Sequence, residues 1–240
     1  MGRFFEARKS SIMARSDRMA KAFTRAGREI VIAVKAGGDN PDGNPSLRRA
    51  IQNARSVNMP KDKILAAVAR AAGTDTEDYA EVLYEGYAPH GVAVMVVTTT
   101  DNTTRTVANV RMHFNKSSGN LGNFGAVSFL FERMGVFRLK PDGLDRDDLM
   151  LEMIDHGLER MADEEDDDGA SLLVLRCAFN DFGALQQGLD EAGIEPVSTG
   201  SEFVPLTTME LDDESLDDVL KLIERLEADD DVQDVFTNLS

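Results

Sequence analysis

The chain of 240 residues has the composition of a folded protein, with 42% hydrophobic and 29% charged residues, and it carries a formal net charge of −17. No apolar run approaches the roughly 18 residues of a membrane-spanning helix, so we expect no spanning segment and no membrane partner, and a single cysteine, Cys177, excludes an internal disulfide. The opening residues lack the apolar core of a secretion signal, so we expect a cytoplasmic protein.

The charge is distributed unevenly along the chain. Residues 1–75 contain 15 Lys and Arg against seven Asp and Glu, a net of +8, whereas residues 76–240 carry a net of −25. A strongly acidic protein repels phosphates, but a basic segment beside an acidic body is typical of a module that faces nucleic acid. A basic helical domain that docks onto an acidic domain of the same chain would give the same distribution, so charge alone leaves both interpretations open.

The first 77 residues predict a small all-helical domain. Apolar residues recur every three or four positions over residues 10–34, which indicates a helix that ends at the glycine pair 37–38. Asn44 is a typical N-cap for a second helix, because the proline that follows it is tolerated in the first turn. A third amphipathic helix is predicted over residues 60–72. We therefore expect a basic domain of three helices over residues 1–77.

Lysine and arginine side chains follow a stripe of these helices that differs from the apolar stripe. We expect them to face away from the domain core, and in particular we expect Arg25, Arg28, Arg48 and Arg49 to face solvent. Phosphate contact needs positive charge and no unique motif, so these side chains are candidate nucleic-acid ligands, although a merely solvated basic face has the same pattern. The candidates are Arg8, Lys9, Arg15, Arg18, Lys21, Arg25, Arg28, Lys35, Arg48, Arg49, Arg55, Lys61 and Lys63.

After residue 77 the pattern changes to short strands that alternate with helices. Residues 135–205 give the series β-α-β-β-α-β, which predicts a ferredoxin-like α+β domain. Residues 78–134 and 206–240 cannot each bury their own apolar faces, so we expect them to form one discontinuous α+β domain into which residues 135–205 are inserted. The predicted strands are 82–87, 92–97, 127–131, 136–139, 158–161, 172–177, 195–198, 207–211 and 232–237, and the predicted helices are 103–115, 145–156, 182–192 and 214–226.

No segment combines the groups that catalysis requires. The three histidines are scattered without metal-ligand spacing, and no acid, base and oxyanion donor occur together. The glycine-rich segment 119–125 lacks the Lys-Ser/Thr ending of a phosphate loop and predicts a helix-to-strand connection, and the acidic run 163–168 predicts a solvated hairpin loop. We therefore expect no enzymatic activity, no cofactor, no metal site and no small-molecule substrate.

The first 135 residues contain nine segments in a fixed order: KAFTR (21–25), REI (28–30), NPSLR (44–48), NMPKD (58–62), YEGYAPHGVA (84–93), TDN (100–102), RTVA (105–108), GNLG (119–122) and FER (131–133). Together these segments resemble the YebC/PmpR family of probable transcriptional regulatory proteins. The resemblance implies a three-domain cytoplasmic protein without enzymatic activity, in which a helical domain precedes two α/β domains, one interrupted by the other. The start of the chain lacks the Gly-His-Ser-Lys-Trp opening of many members and is similar to the YeeN-type subgroup.

Three functions are consistent with these features. The first is a DNA-binding transcriptional regulator that grips phosphates with the basic helices. The alternative is a translation factor that uses the same face on RNA or the ribosome, and a second alternative is a protein-interaction scaffold. Base-reading side chains are not gathered at one helix N-terminus, which favours recognition of shape or backbone over sequence-specific readout.

Overall fold

A computed structural model describes residues 3–73, 78–166 and 169–240, with side chains from Met19 onwards. Within these ranges the chain forms seven α-helices and eight β-strands. The helices are α1 (Arg3–Gly37), α2 (Pro45–Ser56), α3 (Lys61–Ala71), α4 (Thr103–Lys116), α5 (Arg146–Ile154), α6 (Phe182–Glu191) and α7 (Asp213–Glu227). The strands are β1 (Ala80–Tyr87), β2 (Ala93–Thr100), β3 (Asn120–Leu121), β4 (Phe131–Leu139), β5 (Leu158–Glu165), β6 (Ser171–Ala178), β7 (Ser198–Pro205) and β8 (Val232–Thr237).

The three N-terminal helices pack around a core made mostly of alanine and β-branched residues. Asn44 joins two of them, because its side-chain oxygen accepts from the Leu47 N–H at the start of α2 while its amide nitrogen donates to the Ala33 carbonyl of α1, at 3.1 and 2.7 Å. A Cβ at Gly37 would lie 2.8 Å from the Asn44 side chain, so glycine is required at this close approach. The capped glycine turn therefore sets the angle between α1 and α2.

The first antiparallel sheet has the strand order β3-β1-β2-β8. Helices α4 and α7 cover one face, where Phe114, Leu222 and Leu226 pack on the buried valines of β2. Gly86 in β1 makes room for this packing, because a Cβ there would approach the Phe114 ring to 2.7 Å. The opposite face carries a second apolar cluster that includes Met95, Val127 and Phe131.

The second antiparallel sheet has the order β5-β6-β4-β7. Because the chain runs β4-α5-β5-β6-α6-β7, this order is that of a ferredoxin-like fold, and the predicted fold class is confirmed. Helices α5 and α6 cover one face of the sheet, where Phe137 of β4 lies 4.6 Å from Phe182 of α6 between ring centroids. Leu175 and Leu185 are buried in the same core.

Several predicted strands differ from the observed elements. Residues Ser128–Leu130 form a 3-10 helix instead of a strand. The Glu85 carboxylate accepts hydrogen bonds from the N–H groups of Val127 and Ser128, so these groups do not pair with a neighbouring strand. Strand β4 then crosses residues 134–135, the predicted domain boundary, and we therefore propose a boundary before Phe131 for the inserted domain. The predicted strand 207–211 is reduced to a single bridge between Met209 and Leu239.

Two other predictions near the second sheet also change. The strand predicted at 195–198 starts at Ser198 and continues to Pro205, because its partner β4 is long enough to pair along its whole length. The acidic run predicted as a loop begins inside β5, where Asp163 pairs with Leu173 of β6, and residues 167–168 of that run lie outside the described residues.

The helical domain is attached to the first sheet through a buried carboxylate, Asp231. Arg28 of α1 makes an ion pair with it at 3.3 Å and also donates to the carbonyls of Thr99, at 2.9 Å, and Asp230. On the sheet side, Arg105 and Thr106 of α4 donate to the same carboxylate at 2.8 Å each. Burial alone would raise the pKa of Asp231, but these hydrogen bonds and the two guanidinium charges outweigh it and hold the pKa below its usual value.

A second contact attaches the helical domain to the other sheet. The side-chain amide of Asn53 in α2 donates to the Thr199 carbonyl at 2.8 Å and accepts from the Thr199 N–H at 3.0 Å, so it pairs with β7 as a strand would. Gln52 also donates to the Pro196 carbonyl. Since Asn53 and Arg28 bind different sheets, the helical domain lies across both of them.

Replacing Arg28 with alanine is expected to destabilise this junction. The change removes a charged donor to Asp231 and leaves two backbone carbonyls without their partner, which corresponds to a loss of about 2 kcal/mol in the free energy of unfolding. Urea titration followed by circular dichroism measures the loss. Arg55→Ala, which removes an exposed guanidinium of α2, is the control and should change stability by less than about 0.5 kcal/mol. Equal stability of the Arg28→Ala and Arg55→Ala variants would contradict the stabilising role of Arg28 at this junction.

The junction also predicts a pH dependence. Because the pKa of Asp231 is lower in the folded protein than the value of about 3.9 in an unfolded chain, its ionised form stabilises the fold fully above that value. The stabilisation is lost as pH falls through the folded pKa. Asp231→Asn should therefore be less stable than the parent protein by roughly 3 kcal/mol at pH about 7, and urea titrations should show this difference shrinking below pH about 4. A stability difference between Asp231→Asn and the parent protein that stays constant with pH would show that the ionised Asp231 carboxylate does not stabilise the fold.

Candidate nucleic-acid interface

The predicted basic residues separate into docked and exposed groups. Four of them, Arg8, Lys9, Arg15 and Arg18, belong to α1 but their side chains lie outside the described residues. Lys21 is half-buried. Every other predicted residue has a defined side-chain environment, which decides whether it is available to a ligand.

Four predicted cations contact the rest of the protein. Only 13% of the Arg28 side chain is exposed, so the expectation that it faces solvent is wrong: its stripe is turned away from the helical core but toward Asp231 of the first sheet. Arg25 is half-buried and donates to the Glu227 carbonyl at 3.1 Å, so it too differs from the expectation. Arg49 is exposed as expected but lies over the Phe182 ring, and Lys35 pairs with Asp78.

The remaining predicted cations with described side chains, apart from the half-buried Lys21, lie on α2 and α3, and together with Arg49 and Arg70 of the same helices they form what we call the α2–α3 face. Residues 45–73 contain six Lys and Arg and one acidic residue, Asp62, so this segment carries a net charge of +5 inside a protein of net charge −17. All six cations are exposed. The face consists of Arg48, Arg49, Arg55, Lys61, Lys63 and Arg70.

The side chains of the α2–α3 face differ in how they are held. Arg48 donates to the carbonyls of Pro41 and Asp42, at 3.1 and 3.0 Å, and so fixes the loop before α2. The Lys63 ammonium lies 5.1 Å from the centroid of the Phe23 ring. Within the described part of the chain, Arg55 and Lys61 make no hydrogen bond or ion pair and extend into solvent. Two cations are thus preorganised and two are free to meet an anion.

The exposed cations of the α2–α3 face suit phosphate contact. Guanidinium and ammonium groups on adjacent helices present donors to an extended polyanion, and the charge attracts it before contact. Among the described residues, no three His, Cys, Asp or Glu side chains are grouped as metal ligands. The Cys177 thiol is buried. Burial, and to a smaller extent the nearby Asp181 carboxylate, raises the pKa of this thiol to about 11, so the thiol stays protonated at neutral pH and is not a nucleophile.

A cleft of about 680 Å³ lies where the helical domain meets both sheets. Its walls include the carboxylates of Glu29 and Asp234, and loss of hydration in the cleft raises the pKa of both. Arg138 on the same wall is paired with Glu202. Arg49 of the α2–α3 face also lines the cleft, but because cations and carboxylates are mixed here, the cleft does not offer the net positive charge of that face.

Sequence reasoning missed the two carboxylates that organise the α/β region. Asp231 lies in an acidic run near the C terminus, where periodicity does not show that it is buried. Glu85 sits inside a strand, is only 2% exposed, and binds the N–H groups of Gly125, Val127 and Ser128 at 2.8–2.9 Å. Burial would raise the pKa of Glu85, but these three N–H groups lower it. The sequence signal that could have identified Glu85 is a single charged residue at an inward-facing position of a predicted apolar strand.

No helix in the described part of the chain is long and apolar enough to cross a bilayer.

Two family models match the chain: the TACO1/YebC N-terminal domain over residues 3–74, and the TACO1/YebC second and third domain over residues 79–239. Relatives include a probable transcriptional regulatory protein from Myxococcus xanthus, 58% identical with all of both chains covered. Another with the same name, from Flavobacterium johnsoniae, is 49% identical with 98% of each chain covered.

A solved structure shares the fold. The crystal structure of a conserved hypothetical protein from Aquifex aeolicus is 37% identical, covers 92% of this chain and 90% of its own, and superimposes with a TM-score of 0.78. The resemblance that the nine sequence segments indicate is therefore confirmed over the helical domain and both sheets. The chain belongs to the TACO1/YebC family.

Proposed function

We propose that this protein regulates gene expression by binding a nucleic-acid duplex through the α2–α3 face. The observation that carries the proposal is the set of six exposed cations on two adjacent helices, with a local net charge of +5 on an acidic protein. Such segregation attracts a polyanion to one face while the acidic body repels it from the others. The body thereby orients the bound duplex.

The names of the relatives favour transcription as the regulated step. Proteins from Myxococcus xanthus and Flavobacterium johnsoniae that are similar to this chain carry the name probable transcriptional regulatory protein. Double-stranded DNA is accordingly the ligand we propose for the α2–α3 face, bound in the cytoplasm and without catalysis. The alternative, a structured RNA or the ribosome, would use the same phosphate contacts and is distinguished by direct binding.

The arrangement of the face favours recognition of backbone over base sequence. Its free cations, Arg55 and Lys61, lie at the end of α2 and the start of α3 and are not gathered at the N-terminus of one helix. Phosphate contacts fix the register of a protein on a duplex but carry no sequence information. We therefore expect affinity that depends strongly on salt and weakly on duplex sequence.

Removal of two cations tests the face. Arg55→Ala combined with Lys61→Ala should weaken duplex binding, because two phosphate contacts are lost. Each phosphate neutralised contributes about −0.9 to the slope of log affinity against log salt, so the slope should become shallower by about 1.8 on double-stranded DNA. Fluorescence anisotropy over a salt series measures it, and ribosome co-sedimentation in parallel reports on the alternative ligand.

The matched control removes two exposed cations elsewhere. Lys140→Ala with Arg160→Ala changes the net charge by the same amount, and both residues are far in sequence from the α2–α3 face, Lys140 directly after β4 and Arg160 on β5. The control should leave the salt slope unchanged. Equal effects of the two double variants would show that total charge and not the face determines binding. Ribosome binding without measurable duplex affinity would replace DNA with the alternative ligand.

A further inference from the structure

The cleft between the helical domain and the two sheets has the size of a ligand-binding pocket. Its volume of about 680 Å³ falls within the roughly 300–1,000 Å³ that is typical of small-molecule sites. Such sites often lie between domains, and here α1 and α2 supply one wall while strands of both sheets supply the others. The cleft is therefore large enough for a small organic molecule.

Two buried side chains of the cleft carry polar atoms without a partner. Gln233 of β8 is 7% exposed and Thr199 of β7 is 3% exposed, and both line the cleft. Among the described residues, neither the Gln233 Nε2 nor the Thr199 Oγ1 makes a hydrogen bond. A buried polar group without a partner costs stability, so native proteins rarely leave one unless water or a ligand completes it. Both groups can donate, so an acceptor oxygen of a bound molecule would satisfy them.

The cleft also contains carboxylates that lack an ion-pair partner. Within the described part of the chain, neither Glu29 of α1 nor Asp234 of β8 makes an ion pair, although both are accessible from the cleft. The surrounding walls displace part of their hydration, which raises the pKa of both, and the negative charge of Asp234 adds to the rise at Glu29. A positively charged ligand group would offset this loss of hydration.

Arginines line the same cleft and are oriented by aromatic rings. The Arg49 guanidinium lies 5.4 Å from the centroid of the Phe182 ring, and the Arg133 guanidinium lies 3.9 Å from that of Phe179. Stacking on a ring face leaves the N–H edge of Arg49 able to bind a carboxylate. The cleft therefore has a net charge of −1, from the four carboxylates of Glu29, Glu81, Glu202 and Asp234 and the three arginines Arg49, Arg133 and Arg138.

We infer that this cleft binds a free amino acid with a cationic side chain, as a ligand that bridges the helical domain and the two sheets. The side-chain cation lies against Glu29 and Asp234. The α-carboxylate accepts from donors that the free protein leaves available, among them the Gln233 amide and the Arg49 guanidinium. A ligand of net charge +1 complements a lining of net charge −1, whereas a nucleotide or an acidic amino acid would add negative charge to unpaired carboxylates. The inference is independent of the α2–α3 face and of its ligand.

Isothermal titration calorimetry of the full chain with L-arginine and with L-lysine tests the inference. Saturable binding of at least one of them, at one site per chain, is expected. The absence of saturable heat with both at millimolar concentration would overturn the inference.

Matched analogues test which ligand groups are recognised. L-citrulline and L-norleucine are neutral analogues of L-arginine and L-lysine, and agmatine and cadaverine are the analogues without the α-carboxylate. Each analogue should bind at least about tenfold more weakly than its parent amino acid, because each loses a charge-assisted contact. A neutral or decarboxylated analogue that binds as tightly as its parent would overturn the assignment to a basic amino acid.

Neutral isosteres at the two carboxylates test the site within the chain. Glu29→Gln with Asp234→Asn should weaken binding of the amino acid by at least about tenfold. The thermal midpoint of the free variant at neutral pH should not fall, because an ionised carboxylate whose pKa is raised on folding destabilises the fold there. Glu214→Gln with Asp217→Asn, which neutralises two exposed carboxylates of α7 outside the cleft, is the control and should leave the affinity unchanged.

Equal effects of the two double variants on amino-acid binding would overturn the site. Because the titration contains no nucleic acid, its failure leaves the α2–α3 face proposal intact. Failure of the duplex assay likewise leaves the cleft inference intact, so the two proposals are tested separately.

Discussion

The Asp231 carboxylate is the point on which the arrangement of this protein depends. Its side chain is 4% exposed, and a charge so poorly hydrated persists only because Arg105, Thr106 and Arg28 surround it. Two of these donors come from the α/β body and one from the helical domain. The carboxylate therefore joins separate parts of the chain and would be strongly destabilising if any one of its charged partners were removed.

This junction divides the positive charge of the N-terminal region into two roles. Arg28 attaches α1 to the first sheet and Arg25 attaches it to the end of α7, while Asn53 attaches α2 to the second sheet. With α1 and one side of α2 fixed against the body, the cations on the outer surface of α2 and α3 are left facing solvent. Both interpretations of the uneven charge are thus partly realised, since the basic domain docks on the acidic body and still exposes a cationic face.

Much of the fold could be predicted because its signals are local. The Asn44 cap, the glycine turn before it and the β-α-β-β-α-β series all follow from short-range spacing, and some family segments include a helix cap or a close contact, such as Asn44 and Gly86. The docked arginines could not be predicted, because periodicity shows only that Arg28 is turned away from its own helical core. The 3-10 turn at Ser128–Leu130 depends on the Glu85 carboxylate, 43 residues before Ser128, a contact that no local pattern reveals.

Chemical modification of arginine, read by mass spectrometry with and without duplex DNA, tests the division of cations most directly. The account predicts that Arg55 of the free protein reacts readily and is protected when the duplex is bound. Arg28 should remain unreactive in both states, because its guanidinium is enclosed by Asp231 and two backbone carbonyls. Ready modification of Arg28 in the free protein, or an Arg55 that the bound duplex leaves unprotected, would contradict it.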